Sequence, residues 1–231
     1  MTGDLTDLMR EFPFEPGRVN ARLVRCGDGR EVLQVRVELG ILQMECTGRP
    51  DGGEAVLEAL QRAQNRVLGA ADAAALRLEL GQYQHRALAF LAVGEPARAL
   101  LDAERLLRGT EVVCQRALPG EREWAEGARF SVVVLRTRCE AAALVASGRA
   151  RDAALAVERG LALLREAAER VGIAESFDSL GDVLALRSLR DTLVPQLPPA
   201  QRAELEARLR AAIIAENFEL AAILRDELRL L

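Results

Sequence analysis

The stretch ELGQYQHRALAFLAVGEPARALLDAERL, residues 79–106, indicates the fold class of the chain most directly. In its first half, Tyr83, Ala87 and Phe90 recur at the three- and four-residue steps that place side chains on one face of a helix. The segment Gly94–Pro96 interrupts this pattern, because glycine ends helices readily and proline suits the first turn of the next one. The stretch therefore predicts two helices joined by a tight turn, the second with an apolar face at Ala99, Ala103 and Leu106.

A second stretch with the same layout follows, with apolar residues on both sides of a turn glycine at Ala141, Leu144, Gly148, Ala153, Val157 and Leu161. The two stretches resemble tetratricopeptide repeats, which carry aromatic and small residues on a first helix and glycine at the turn. In the second copy Thr137 replaces the first aromatic residue, and the spacing from Gly94 to Gly148 exceeds the repeat period of about 34 residues. An ordinary antiparallel bundle of alanine-rich helices stays open as the alternative.

The N-terminal region shows the two-residue alternation of β-strands instead of helical spacing. Apolar and polar residues alternate over 19–23 and again over 33–39, and the intervening segment 27–30 contains Asp-Gly, a strong signal for a tight turn. At Gly40 the apolar set moves from odd to even numbers, which predicts a bulge or a bend into a third strand. The region therefore predicts a three-stranded meander.

The middle of the chain is predicted to be helical throughout. Apolar residues over 57–68 form a first amphipathic stripe, and polar connections are expected at Gly109 and around Pro119-Gly120, before a second hairpin that starts near Phe130. Another helix is expected over 179–194, with its N-cap at Asp178 or Ser176.

A separate C-terminal segment begins where Pro195 and Pro198-Pro199 interrupt the preceding helix and open a new one. The first helix of this segment has an apolar stripe at Leu205, Leu209, Ala212 and Ile213. Asn217 is the expected N-cap and turn residue. The second helix has a stripe at Phe218, Ala221, Leu224, Leu228 and Leu231. Two such helices bury their stripes against each other, and Phe218 is expected to be the large plug at the closed end.

These patterns predict a mainly α fold in three regions. Residues 1–53 form a small antiparallel β meander, one edge of which Phe12 and Phe14 cover. Residues 54–194 form a bundle of helical hairpins similar to tetratricopeptide repeats, and residues 195–231 form a two-helix hairpin.

The C-terminal hairpin carries the most specific motif of the chain. The core FELAAILRD, residues 218–226, follows a leucine-bearing helix with the pair Ala211-Ala212, and together they resemble the UvrB/UvrC motif. The likeness covers residues 204–231, about an eighth of the chain. In excision-repair proteins this motif is a helical hairpin that pairs with a similar hairpin, and the motif also occurs in adaptors of Clp-type proteases.

The resemblance implies a non-catalytic function in protein–protein interaction, with the helical-repeat region as a second binding surface. Arg225 and Asp226 are expected on the flank of the hairpin, where a charged pair can fix the register or meet a partner. Twofold pairing of two hairpins would give a homodimer, and the alternative is docking on the chain's own helices. The residues expected to bind a partner are Leu209, Ile213, Phe218, Ala221, Leu224, Arg225, Asp226 and Leu228.

Composition favours protein partners over nucleic acid. The chain has 231 residues, of which 50% are hydrophobic and 3% aromatic, so its core consists mainly of Ala, Leu and Val. The formal net charge is −4, whereas a strong nucleic-acid binder usually shows a basic excess. Direct binding of nucleic acid is therefore not expected. A component of nucleotide excision repair that contacts nucleic acid or repair proteins is the alternative function.

No motif in the sequence indicates catalysis. The turn at 27–30 lacks the lysine and the following helix of a phosphate-binding loop, and no G-x-S-x-G sequence is present. The one histidine, His85, is expected on a helix surface or in packing. The prediction is therefore no enzyme and no cofactor, and an enzyme with a site assembled from dispersed residues is the third class considered.

The cysteines and the termini indicate a cytoplasmic protein. Cys26, Cys46, Cys114 and Cys139 form no C-x-x-C pair, so they are interpreted as reduced structural thiols. A zinc site would require distant segments to bring them together, and no metal is predicted. The N-terminus lacks the features of a signal peptide, and no apolar run reaches the roughly 18 residues that span a bilayer, so no membrane association is expected.

Overall fold

The structure is a computed structural model that describes residues 5–63, 66–193 and 199–229. Over these ranges the chain is mainly helical, with a three-stranded antiparallel sheet near the N-terminus, and the predicted fold class is confirmed. Contacts divide the chain into two compact units, Met1–Ala143 and Leu144–Leu231. In chain order the elements are α1 (Thr6–Glu11), β1 (Asn20–Arg25), β2 (Glu31–Val37), β3 (Gly40–Glu45), α2 (Val56–Arg62), α3 (Ala70–Ala92), α4 (Pro96–Arg116), α5 (Pro119–Ala146), α6 (Ala150–Arg170), a 3-10 helix (Ala174–Ser179), α7 (Gly181–Leu193), α8 (Pro199–Ile214) and α9 (Phe218–Arg229).

Some predictions concern residues outside the described ranges. They include the breaks at Pro195 and Pro198 and the stripe position Leu231. The start of α8 at Pro199 does lie within the described ranges, and it agrees with the expectation that a proline opens this helix.

The sheet has the strand order β1-β2-β3, and both strand pairs are antiparallel. Val37 pairs with Gly40, so a two-residue turn joins β2 to β3. In this register an odd-numbered residue of β2 faces an even-numbered residue of β3, as Leu33 faces Met44. The change of phase therefore marks the turn into a third strand, which begins at Gly40, so of the two predicted alternatives the turn into a third strand is confirmed and the bulge is not.

The turn between β1 and β2 forms where the sequence predicts it. The Cys26 amide donates to the Arg30 carbonyl at 2.7 Å, and the Gly29 amide donates to the Cys26 carbonyl at 3.0 Å. Gly29 has a φ of +86°, a backbone conformation that residues other than glycine rarely adopt. Asp28 Oδ1 accepts the Arg30 amide at 3.0 Å, which is the usual contribution of aspartate to a turn.

Phe12 lies against the polar face of the sheet at β1, which is one of the two edge strands. The Arg22 guanidinium carbon is 4.4 Å from the centre of the Phe12 ring. Arg36 Nε donates to the Phe12 carbonyl at 2.9 Å, and Arg22 shares its face of the sheet with Gln34, to which it is hydrogen-bonded at 3.0 Å. Phe14 is exposed. The N-terminal segment therefore covers a face of the sheet through Phe12.

The other face of the sheet joins the core of the first unit. Leu33 and Met44 are buried in one cluster with side chains from α2, α3 and α4. Tyr83 and Phe90, on the predicted apolar face of α3, are fully buried in this cluster. Pro96 is the first residue of α4, as predicted.

A buried ion pair fastens the end of the sheet to α3 and α4. The side chains of Arg86 and Asp102 are each 1% exposed, and both contacts between guanidinium and carboxylate measure 2.7 Å. Arg86 also donates to the carbonyls of Glu45 at 2.7 Å and Gly48 at 2.9 Å. Because the guanidinium carries its donors in a fixed planar fork, one side chain holds three segments together.

Helix α2 is capped by a carboxylate from α3. Fully buried Glu79 accepts the amides of the first two residues of α2 at 2.5 and 3.3 Å. Such amides lack partners within their own helix, and a negative charge there is favoured by the helix dipole. The helix ends at Arg62, so the predicted stripe that continues to Leu68 is wrong. Leu68 instead forms a parallel bridge with Ala117.

Gly109 lies inside α4, and its predicted place in a connection is wrong. A Cβ at this position would come within 3.2 Å of Leu80 Cδ1 and Cγ and closer still to Cδ2. Glycine is therefore required here for the close approach of α3 and α4. Pro119 and Gly120 begin α5, which starts well before the predicted position near Phe130.

In the second unit, the 3-10 helix leads into α7. Helix α7 begins at Gly181, so the predicted N-caps Asp178 and Ser176 are wrong. Asp178 instead accepts hydrogen bonds from Arg187 at 2.5 Å and from Arg165 at 3.2 Å. These guanidinium groups, Arg187 foremost, lower the pKa of the Asp178 carboxyl.

Candidate functional site

The C-terminal hairpin consists of α8 and α9 packed against each other. Its interior is small: Ala212, Ala221 and Leu224 are buried, and half-buried Leu205 and Leu209 pack against them. The two alanines allow the helices to approach closely, and Leu224 is the one large side chain that is fully enclosed among those the structure describes in this hairpin.

Hydrogen bonds from backbone amides close the turn between α8 and α9. The amide of Asn217 donates to the Ala212 carbonyl at 2.9 Å, and the amide of Glu216 donates to the Ile213 carbonyl at 3.0 Å. This pair of bonds is a common way to satisfy the last carbonyls of a helix. Asn217 Oδ1 accepts the Leu220 amide at 3.1 Å, so the predicted N-cap of α9 is confirmed.

The same backbone turn occurs four times in the part of the chain that the structure describes. Gly94, Gly148 and Gly172 follow the ends of α3, α5 and α6 with φ values of +78°, +73° and +76°. Glu216 follows α8 with a φ of +54°, and it is the one non-glycine residue with positive φ among the described residues. The C-terminal hairpin therefore places a side chain where the other three turns have none.

Among the described side chains of this hairpin, five large apolar ones are exposed. Ile214 is 83% exposed and Phe218 is 69% exposed. The prediction that Phe218 plugs the hairpin is wrong, because α8 has already ended at Ile214 and the first position of α9 leaves the ring in solvent. The complete exposed set is Ile213, Ile214, Phe218, Leu220 and Ile223.

The predicted charged pair lies on the exposed flank of α9. Arg225 Nη2 is 2.9 Å from Asp226 Oδ1, and both side chains are more than half exposed. An exposed pair between neighbouring residues contributes little to stability, so both groups stay available to a partner.

The eight predicted partner-binding residues fall into two groups. Ile213, Phe218, Arg225 and Asp226 are exposed. Ala221 and Leu224 are buried within the hairpin, and Leu209 and Leu228 are half-buried. Residues of the second group that pack between the helices hold the hairpin together, which leaves contact with a partner to the exposed group.

Three exposed apolar residues, Ile214, Leu220 and Ile223, were missed by the sequence interpretation. They fall outside both apolar stripes, and the search for stripes therefore passed over them. The sequence does contain an indication of these exposed residues, because the segment 213–224 has more large apolar residues than two facing stripes require.

The first unit has an open groove along α3 with a volume of about 420 Å³. Ala74, Leu78 and Gly81 share one face of α3, and the side chain of Leu78 is exposed there. Arg77 pairs with Glu121 and lies over the Trp124 ring, 4.3 Å from its centre. Exposed His85 lines the same groove.

Two thiols of the first unit, those of Cys114 and Cys139, are weaker acids than an exposed cysteine. Burial raises the pKa of Cys139 to about 12 and, as the largest cause, that of Cys114 to about 11. Both therefore stay protonated at neutral pH, where the nucleophile is the thiolate. In the described part of the chain, no three His, Cys, Asp or Glu side chains gather in a way that could hold a metal ion.

Comparisons of the chain with protein-family models, with curated proteins and with solved structures found no match. Over residues 5–63, 66–193 and 199–229, no helix combines the length and the apolar character needed to cross a membrane.

Proposed function

We propose that this chain is a non-catalytic interaction protein that binds other proteins through its C-terminal hairpin of the UvrB/UvrC type. The observation that carries the proposal is the exposure of Ile213, Ile214, Phe218, Leu220 and Ile223 on a hairpin with a small interior. Single apolar side chains are normal on a protein surface, but a cluster of large ones marks an interaction site.

The energy available from this cluster is sufficient to matter for binding. Fully burying one side chain of this size is worth about 1.5–3 kcal/mol. Ile214 and Phe218 have most of their surface in water, so a partner that covers them and their neighbours gains several such contributions. These offset a large part of the rigid-body cost of association, which is roughly 4–15 kcal/mol.

The α3–α4 hairpin of the first unit supports a second binding surface of the tetratricopeptide kind. Ala99 and Ala153, each five residues after a turn glycine, are fully buried, as small residues are where two helices approach closely. Ala221 holds the equivalent position after Glu216 and is also buried. The groove along α3 is the part of this surface with room for a partner segment.

Direct contact with nucleic acid in excision repair has less support than protein binding. The net charge is −4, and between Arg210 and Arg225 the hairpin carries only the carboxylates Glu216 and Glu219. Carboxylates repel a phosphate backbone. A repair protein as partner stays within the proposal, as does placement in the cytoplasm, which suits four free cysteines.

Affinity capture from host cells tests the proposal. The tagged full chain is compared with the double variant Ile214→Ser/Phe218→Ser and with a matched control, Leu163→Ser/Leu184→Ser, which changes exposed residues of α6 and α7. We expect the wild-type chain and the control to retain the same partner, and the hairpin variant to lose it while keeping its circular dichroism spectrum. Capture of the same partner by the hairpin variant and by a chain that ends at Leu193 would refute the proposal.

A homodimer is a separate outcome. Light scattering on the full chain and on the hairpin double variant measures it directly. A dimer that the double variant abolishes identifies a second copy as the partner, and a monomer at high micromolar concentration excludes pairing between copies.

A further inference from the structure

Charge is distributed unevenly along the C-terminal hairpin. The open end of the hairpin, where α8 begins and α9 ends, carries charges of both signs, including the exposed pair of Arg225 and Asp226. From Ala211 to Leu224 the only charged residues are Glu216 and Glu219, and both are exposed. Within the described side chains neither carboxylate forms an ion pair. The closed end of the hairpin is therefore apolar and acidic, whereas the open end is mixed.

Glu216 is unfavourable for folding on two counts. Its φ of +54° is a left-handed conformation that costs a residue with a side chain more than it costs glycine. It also directly follows the end of α8, where the helix dipole is negative and disfavours a carboxylate. The equivalent residues of the other three turns, Gly94, Gly148 and Gly172, avoid both costs.

Backbone strain of this kind concentrates at functional sites, including ligand-binding sites. Here the strained residue adjoins the most exposed apolar side chains of the hairpin, Ile214 and Phe218. The two observations are independent, since one concerns the backbone and charge and the other concerns apolar exposure. Both point to the closed end as the contact surface.

We infer that the hairpin tip, defined as Ile213, Ile214, Glu216, Phe218 and Glu219, inserts end-on into an apolar socket on a partner protein whose rim carries arginine or lysine. This inference rests on the proposed function and specifies the partner's chemistry. Phe218 and Ile214 fill the socket, and the two carboxylates meet the cationic rim.

Charge argues against the other occupants of the tip. Two copies joined tip to tip would bring Glu216 and Glu219 of each chain towards those of the other, and like charges in an interface are strongly unfavourable. A nucleic acid or an anionic membrane surface presents negative charge to the same carboxylates. A protein with a basic rim is the complement that the tip requires.

Photo-crosslinking in host cells identifies what the tip touches. A benzophenone side chain replaces Phe218 in the full chain, and a control chain carries it at exposed Leu184 in α7. Mass spectrometry then locates the crosslink on the partner. We expect a crosslink specific to position 218, in a partner segment with apolar residues flanked by arginine or lysine.

Binding of the purified partner to the full chain then measures the role of charge. The tip variant Glu216→Gln/Glu219→Gln keeps the size of both side chains, and the matched control Glu204→Gln/Glu227→Gln removes two carboxylates near the open end. Exposed ion pairs are each worth up to about 1 kcal/mol, so we expect the tip variant to bind roughly tenfold more weakly. Its loss of affinity on raising the salt concentration should also be smaller, whereas the control should bind like wild type. Phe218→Ala should weaken binding at least about thirtyfold, as for a central anchor residue.

The outcomes separate this inference from the proposed function. One outcome overturns the tip inference and leaves the proposed function intact. In that outcome the partner is lost from a chain ending at Leu193, but it binds the Glu216→Gln/Glu219→Gln and Phe218→Ala variants as tightly as wild type. A partner retained by the truncated chain overturns both. A crosslink to a second copy of this chain, to nucleic acid or to lipid would also overturn the basic socket.

Discussion

Replacing Glu216 with glycine should stabilise the C-terminal hairpin, although the substitution removes a side chain. The left-handed conformation costs a non-glycine residue about 1–2 kcal/mol, and relief of the charge at the end of α8 adds about 0.3–1 kcal/mol. Glycine loses about 0.5–1 kcal/mol through the greater entropy of its unfolded chain. The net expectation is a gain of roughly 1 kcal/mol.

The reciprocal substitution Gly148→Glu provides the matched test of this magnitude. No atom lies within 4 Å of a Cβ built at Gly148, so backbone conformation and charge alone should destabilise the turn, by about 1–2 kcal/mol.

For Glu216→Gly, amide hydrogen exchange at Ala221 and Leu224 reports the local stability of α9. A gain of 1 kcal/mol corresponds to roughly fivefold slower exchange. Equal or faster exchange in Glu216→Gly, with helix content unchanged, would show that position 216 is not strained.

Four further substitutions, one of them a control, test the packing of the chain. Phe218→Ala should change the free energy of unfolding by less than about 0.5 kcal/mol in denaturant melts, because the ring is exposed. A loss above about 2 kcal/mol would show instead that the ring is buried in the hairpin, as the sequence predicted. Gly109→Ala should destabilise by about 1–3 kcal/mol through overlap with a neighbouring side chain, whereas Gly81→Ala, with open space around its Cβ, should be neutral or stabilising. Asp102→Ala should cost about 3–5 kcal/mol in the same melts by leaving Arg86 buried without its counter-charge, and a cost below 1 kcal/mol would contradict this.

The sequence pattern was informative about elements and less so about how they meet. Alternation over 33–39 showed which side chains share a face of the sheet, but it does not record where the chain reverses. The two-residue turn before Gly40 and a bulge at Gly40 produce the same change of phase. Gly109 shows a second limit of the sequence pattern. In the sequence alone a glycine indicates a break in a helix, but this glycine lies within α4 and allows Leu80 of α3 to pack closely against it.

The site shows the same limit. The stripe positions Ala212, Ala221 and Leu224 were predicted correctly as the contact between α8 and α9. Phe218 has the helical spacing of the apolar stripe on α9, but its side chain is not buried. A residue of the stripe is buried only where the facing helix, α8, extends alongside it. Helical spacing therefore identified the interior of the hairpin, and the exposed tip became visible only when the end of α8 was placed in space.

The small interior of the hairpin also couples its stability to binding. Ordering the backbone costs about 1–2 kcal/mol per residue, and over the described side chains of α8 and α9 Leu224 is the one large residue that is fully enclosed. A partner that covers Ile214 and Phe218 supplies apolar burial that the free hairpin lacks. A ligand at 100 times its dissociation constant stabilises the form it binds by about 2.7 kcal/mol. Saturating partner should therefore slow amide exchange in α9 by about a hundredfold and leave the α3–α4 pair little changed. If the amides of α9 in the free chain are already as protected as those of Tyr83 and Phe90, the hairpin is stable without a partner and this coupling is absent.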